Sequence, residues 1–234
     1  MSELILVRHG QASFGKASYD KLSDKGIEQA KLLSRHWLAT GERFDHAYSG
    51  TLLRQRETVS ELLSLVNGEP SAATLKPALN EYNGDPLFRI YLRDHHDDSE
   101  EEIEWPIKDP KKFQLLFEKA TAKWIVGELV PNDADREFEH FQAFQQRVYG
   151  VMDEIMSHHQ SGSKILISTS GGVIAMALQR VLQFTNEHVI TTNWMVHNSA
   201  VTRIRYGRGR LSLSQFNNLA HLESNDLAHM VTYR

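Results

Sequence analysis

The chain has 234 residues and no cysteine, so neither disulfides nor thiolate chemistry can carry its function. No apolar leader is expected either. The N-terminal stretch "MSELILVRHG" offers only Leu4 to Val7 between Glu3 and Arg8, too short for a signal-peptide core or a membrane span. These absences point to a soluble, cytoplasmic protein with no membrane partner. A basic stripe suited to nucleic acid is missing as well. The nearest candidate, "RIRYGRGR", carries Arg203, Arg205, Arg208 and Arg210 with Gly207 and Gly209 at its turn. It reads as a β-hairpin whose charges discourage edge pairing, so no nucleic-acid partner is expected. The adjacent pairs His95–His96 and His158–His159 lack the i, i+4 spacing of metal-binding helices, and no metal is implied. There is no internal repeat and no low-complexity linker.

What is present is an ordinary globular mixture, 41% hydrophobic and 24% charged, enough for one large domain with a sizeable insertion. The net charge of −4 is unevenly spread. Between Asn83 and Gly162 there are 17 acidic and 9 basic residues, while the remainder carries 13 acidic and 17 basic. An acidic middle with mildly basic flanks argues for two parts with different tasks. Seven acids fall between Asp94 and Glu104; this run reads as a solvated loop, or more sharply as a lid that screens anionic substrates.

Strand-like runs occur at 4–7, 45–49, 73–79, 164–169, 200–206 and 211–216. Between them, apolar residues recur at helical spacing, as in Ile27, Ala30, Leu33 and Trp37 behind a Ser23 N-cap. Further helices are expected over 52–66, 172–182 and, in the middle section, 110–125 and 137–159. Strands alternating with helices predict an α/β fold, a three-layer α/β/α sandwich on a mostly parallel sheet. The last two strands make one antiparallel edge, and residues 83–162 form an acidic helical cap inserted into a single domain spanning 1–234.

Open α/β sheets bind ligands beyond the carboxyl ends of their strands. Arg8–His9–Gly10 follows one strand, and Ser170–Gly171–Gly172 follows another and opens a helix. Arg54 falls in the first turns after a third strand, and Glu81 follows a fourth. The rim therefore gathers two arginines, a histidine, a carboxylate and a glycine-rich turn, a set suited to an anion with a nucleophile beside it. Arg56, two residues from Arg54, should face solvent.

The segments "LVRHGQA", "LSDKGIEQAKLL", "SGTLLRQRETV" and "LNE" together resemble the histidine phosphatase superfamily, the phosphoglycerate mutase-like proteins. The match spans 4–82 and, more loosely, 164–222; the middle section matches nothing familiar. The resemblance implies that His9 is the nucleophile, that Arg8 and Arg54 clamp the phosphoryl group, and that Glu81 is the proton donor, with no cofactor. Two permanent cations also disfavour a protonated imidazole, which keeps His9 nucleophilic. Gly10 lets the backbone turn sharply or approach the phosphate closely.

Two positions depart from the family pattern. Ser170 stands where relatives place a second histidine, and its hydroxyl can bind the phosphate but brings no charge. Gly15 stands where many relatives carry a phosphate-binding asparagine, and Gln11, Ser13, His197 and Asn198 are the candidate replacements. The expected activity is hydrolysis of a small phosphorylated substrate. The alternatives are a catalytically weak phosphate binder or regulator, and phosphoglycerate mutase, which Ser170 disfavours. A homodimer is compatible with the resemblance, although no stripe argues for it.

Overall fold

The computed structural model describes residues 1–13, 20–68, 70–95 and 110–233. Gly15, His96 and every acid of the run after Asp94 lie outside them. The chain divides into two compact units, Met1–Glu81 with Val148–Arg234, and Tyr82–Arg147. The second is shorter than the 83–162 segment marked by charge.

The first unit is built on a six-stranded sheet ordered β3-β2-β4-β1-β5-β6. β1 (Ser2–Arg8) lies beside β4 (Lys164–Thr169) in parallel, with Arg8 opposite Thr169. β2 (His46–Ser49) continues the parallel arrangement to the short β3 (Thr74–Leu75). β5 (Val201–Gly207) and β6 (Arg210–Asn218) complete the antiparallel edge. Leu4 to Val7 are all buried because helices cover both faces, which is why β1 reads as an unbroken apolar run.

α1 (Asp24–Ala39) starts where expected, with the Ser23 hydroxyl accepting the Gly26 N–H at 3.1 Å. Leu33 and Trp37 face the sheet, and Trp37 meets Phe44 edge-on at 4.9 Å. α2 (Leu53–Ser60) ends well before Val66. Its expected continuation becomes a 3₁₀ turn over Leu63–Leu65, because backbone bonds from Phe44 to Leu65 and from Asn67 to Phe44 draw the chain out of the helix. β3 is likewise shorter than 73–79. Pro77 has no N–H to give a ladder and instead opens a 3₁₀ turn over Pro77–Leu79.

The second unit holds α3 (Asp85–Asp94), α4 (Pro110–Val126) and the start of α5 (Phe141–His158), whose residues from Val148 count with the first unit. Its core is aromatic: Trp124 lies 4.7 Å from Tyr82 and 5.1 Å from Phe141, ring centre to ring centre. Buried Asp135 pairs with Arg89 and Arg93. α3 went unpredicted although Asp85 and Pro86 mark a helix start.

After β4 come α6 (Gly171–Leu182) and an unpredicted α7 (Asn186–Met195), which buries little beyond Val189 and Ile190. The β5–β6 hairpin turns through Arg208 and Gly209, both in the left-handed region (φ 52° and 70°). Its charges do not guard an edge, as the sequence pattern implied. Arg203 and Arg205 sit on β5, an interior strand, and pair with Glu3 and Glu42; the edge strand β6 carries only Arg210. No helix among the described residues is long and apolar enough to cross a membrane.

Candidate active site

The site starts where β1 stops. The His9 N–H still follows the sheet, donating to the Thr169 carbonyl at 2.9 Å, and the next residue turns away. Gly10 is required by a neighbour. A Cβ there would lie 2.3 Å from the Gly26 carbonyl oxygen, and one on Gly26 would lie 2.1 Å from that of Gln11. Paired glycines thus let the first turn of α1 press against the turn bearing His9. The Gly10 N–H donates to Thr58 Oγ1 (3.0 Å), whose hydroxyl donates to the Arg54 carbonyl (2.7 Å), so the turn is tied to α2.

That tie places the second arginine. Arg54 Nε donates to His9 Nε2 at 3.1 Å, and Arg54 Nη1 pairs with Asp20 at 2.6 Å. Asp20 also accepts the Leu53 N–H at 2.7 Å, capping a helix whose own N-cap residue, Leu52, cannot. One carboxylate therefore starts α2 and aims its arginine. On the other side of the ring, His9 Nδ1 lies 2.7 Å from the Gly10 carbonyl. A carbonyl can only accept, so Nδ1 carries the proton and Nε2 keeps its lone pair. His9 is 7% exposed. Burial first, then the charges of Arg54 and Arg8, hold its pKa well below the ordinary value, against a weaker opposing pull from the Gly10 carbonyl.

Arg8 differs from Arg54 in its reach. Its guanidinium Nη1 bonds the Val196 carbonyl and acts on His9 through charge. Glu81 accepts the Gly172 N–H at 2.9 Å, on the first turn of α6. Ser170 is that helix's N-cap residue, one step past the strand pair Arg8–Thr169. It is fully buried, and its hydroxyl accepts a 2.9 Å bond from Gln55 Nε2, which also donates to the Leu79 carbonyl. Thr169 Oγ1 donates to that same carbonyl at 2.7 Å, and Ser168 Oγ to the Gln55 carbonyl at 2.8 Å. The hydroxyl-rich end of β4 is thus fixed to α2 and to the turn before Glu81.

Each candidate replacement for the missing asparagine has a partner within the protein. Gln11 accepts from Ser23, Ser13 donates to the Leu22 carbonyl, His197 contacts Asn217, and Asn198 donates to the His9 carbonyl. Arg56 is exposed. His95 and His158 each meet a carbonyl one helical turn back, while His159 bonds Tyr48 and stacks on His46. Among the described residues no cluster of His, Asp or Glu is placed to hold a metal ion. Asp20, Gln55 and Thr58 escaped the sequence reading. Each contributes through a partner more than 30 residues away, and no spacing announces that.

A second buried histidine sits under the turn that carries His9. His221 Nε2 meets Ser199 Oγ at 2.8 Å, and the Ser199 N–H reaches the Arg8 and His9 carbonyls at 3.1 and 3.3 Å. Burial pushes the His221 pKa from 6.5 down to about 4. As pH falls below 6.5 the unfolded chain binds a proton that the folded chain refuses until about 4, so this group's contribution is lost across that window. The loss amounts to about 3 kcal/mol. His221→Gln should therefore shallow the decline in urea midpoint between neutral pH and the acid end of that window. Parallel declines in wild type and variant would contradict it.

The structure is thus a mostly parallel α/β sheet that presents a histidine and an arginine in contact at its carboxyl rim. The chain belongs to the histidine phosphatase superfamily (branch 1), whose family model matches residues 4–116 and 114–219. It is 26% identical over 195 residues to a phosphoglycerate mutase of Schizosaccharomyces pombe, covering 80% of this chain and 82% of that one. Among solved structures, it resembles Bacillus stearothermophilus YhfR with a TM-score of 0.67 at 19% identity, covering 94% of this chain and 99% of that one. It also resembles a phosphoserine phosphatase mutant from Entamoeba histolytica in complex with phosphoserine, with a TM-score of 0.65 at 17% identity over 95% and 100% of the two chains.

Proposed function

We propose that the protein is a phosphomonoester hydrolase acting on a small phosphorylated substrate through a phosphohistidine at His9. The observation that carries this is the 3.1 Å contact of Arg54 Nε with His9 Nε2, the nitrogen left unprotonated by the Gly10 carbonyl. The lone pair that attacks phosphorus lies beside a guanidinium suited to phosphate, and the incoming group takes over the bond that Arg54 now gives to Nε2.

In the first half-reaction Nε2 attacks phosphorus, the ester P–O bond breaks, and the leaving oxygen takes a proton from Glu81. In the second, water attacks the phosphohistidine and gives its proton back to Glu81. The N–P bond then breaks, its electron pair returns to Nε2, and inorganic phosphate departs. Phosphoryl transfer asks mainly for positioning and for charge stabilisation. Arg54 and Arg8 supply the charge, and the amino end of α6 supplies main-chain donors. No cofactor is needed.

The test is turnover of p-nitrophenyl phosphate together with trapping of phosphate on histidine by an alkaline denaturing quench. Turnover without any acid-labile label would remove the covalent route. Ser170→His should raise turnover on the order of 10-fold by restoring a charged donor. No gain in a variant that still melts cooperatively would take Ser170 out of the phosphate's surroundings.

A second reading, a catalytically weak phosphate binder, is favoured by the burial of Ser170 against Gln55. It predicts thermal stabilisation by inorganic phosphate without turnover. Mutase chemistry is the third reading. It requires a phosphohistidine held while an intermediate reorients, and Ser170 brings no positive charge to that task. An assay for interconversion of phosphoglycerates distinguishes it.

A further inference from the structure

The turn that presents His9 is closed into a ring of hydrogen bonds, and the ring passes through the C-terminal segment. The Gln11 N–H donates to Gln29 Oε1 at 2.8 Å. Gln29 Nε2 donates to Thr232 Oγ1 at 2.9 Å and to the Met230 carbonyl at 2.6 Å. Thr232 Oγ1 donates to Asn198 Oδ1 at 2.9 Å, and Asn198 Nδ2 donates to the His9 carbonyl at 3.2 Å. The Asn198 N–H returns to the Thr232 carbonyl at 2.9 Å.

The direction of these bonds is forced from both ends. A main-chain N–H at Gln11 can only donate, so Gln29 must turn its oxygen there and its nitrogen to Thr232. A main-chain carbonyl at His9 can only accept, so Asn198 must turn its nitrogen there and its oxygen to Thr232. The residue in the middle must then accept on one side and donate on the other, which a hydroxyl does. All four bonds run the same way, so each polarises the next. Gln29 and Asn198 are 0% and 1% exposed, while Gln11 and Thr232 are half-buried. None of the three side chains has a part in the phosphoryl-transfer steps.

We infer that Thr232 is a positioning residue, which locks the His9–Gly10–Gln11 turn through Gln29 and Asn198 and so fixes the angle at which Nε2 meets phosphorus. The inference rests on His9 being the nucleophile. It makes turnover depend on a hydroxyl near the chain's end that touches no substrate.

The test compares full-length Thr232→Val, which keeps the shape and loses the hydroxyl, with Thr232→Ser, which keeps the hydroxyl. Thr232→Val is expected to lower kcat for p-nitrophenyl phosphate about 10-fold while KM stays within about twofold. Its His9 imidazole nitrogen resonances should move, whereas Thr232→Ser should match wild type in both. Thr232→Ala gives the same comparison if the valine variant does not fold. A folded hydroxyl-free variant with wild-type kcat and unmoved His9 resonances overturns the inference, even if its melting temperature drops. Equal loss in the serine variant also overturns it. Absence of turnover in the wild type instead sinks the hydrolase reading, and the resonances still decide whether the ring positions His9.

Discussion

His9→Ala is expected to lower turnover of p-nitrophenyl phosphate by ~10⁴-fold or more, leaving no phosphate trapped on the chain. The magnitude follows from the kind of group removed. A donor that stabilises charge can be partly replaced by water, but a nucleophile cannot, because the bond it forms is the intermediate. The variant should still fold, since the backbone bonds of His9 to Thr169, Ser199 and Asn198 do not involve its ring. A folded His9→Ala protein that turns over at the wild-type rate removes this residue from the chemistry. In that case Arg54, Glu81 and Ser170 would mark an anion site whose nucleophile lies elsewhere.

The second large effect belongs to Arg54. Arg54→Ala should reduce kcat/KM by ~10²–10³ through loss of a charged donor at the transferring group. It should also move the acid limb of the pH profile to higher pH. The sign follows from the charge: Arg54 helps hold the His9 pKa below its ordinary value, so deleting it raises that pKa and protonates the nucleophile earlier as pH falls. Arg54→Lys keeps the charge and loses the fork. It should leave the limb close to its wild-type position while retaining only part of the rate. An unmoved acid limb in Arg54→Ala would show that the guanidinium does not act on His9. The alanine variant also strips Asp20 of its partner, but Asp20 can still cap α2 through the Leu53 N–H. A lowered melting temperature alone is therefore not the expected signature.

The sequence was most legible where a signal is complete within a few neighbours. β1 and β4 are apolar runs buried on both faces, and α1 carries its own N-cap and its own apolar stripe, so each could be placed almost to the residue. α7 was invisible because it buries only Val189 and Ile190 and shows little periodicity. α2 and β3 were drawn too long because what ends them comes from elsewhere: Phe44 captures the backbone after Leu65, and Pro77 interrupts the ladder. Gly10 was legible as the place for a sharp turn, but the neighbour that fills the space of its missing Cβ, the Gly26 carbonyl, was not.

The sequence by itself determined the architecture of an α/β sheet, the rim at which His9, Arg8, Arg54, Ser170 and Glu81 emerge, and the family pattern they belong to. These follow from periodicity, strand ends and residue chemistry, all of which are local. Only the tertiary structure decided which nitrogen of His9 is unprotonated, that Arg54 donates to it, that Asp20 aims Arg54, and that Thr232 completes the ring around the turn. Those outcomes depend on hydrogen bonds between groups far apart in the chain. A single donor or acceptor carries no spacing by which its distant partner could be named, so only folding reveals the pairings.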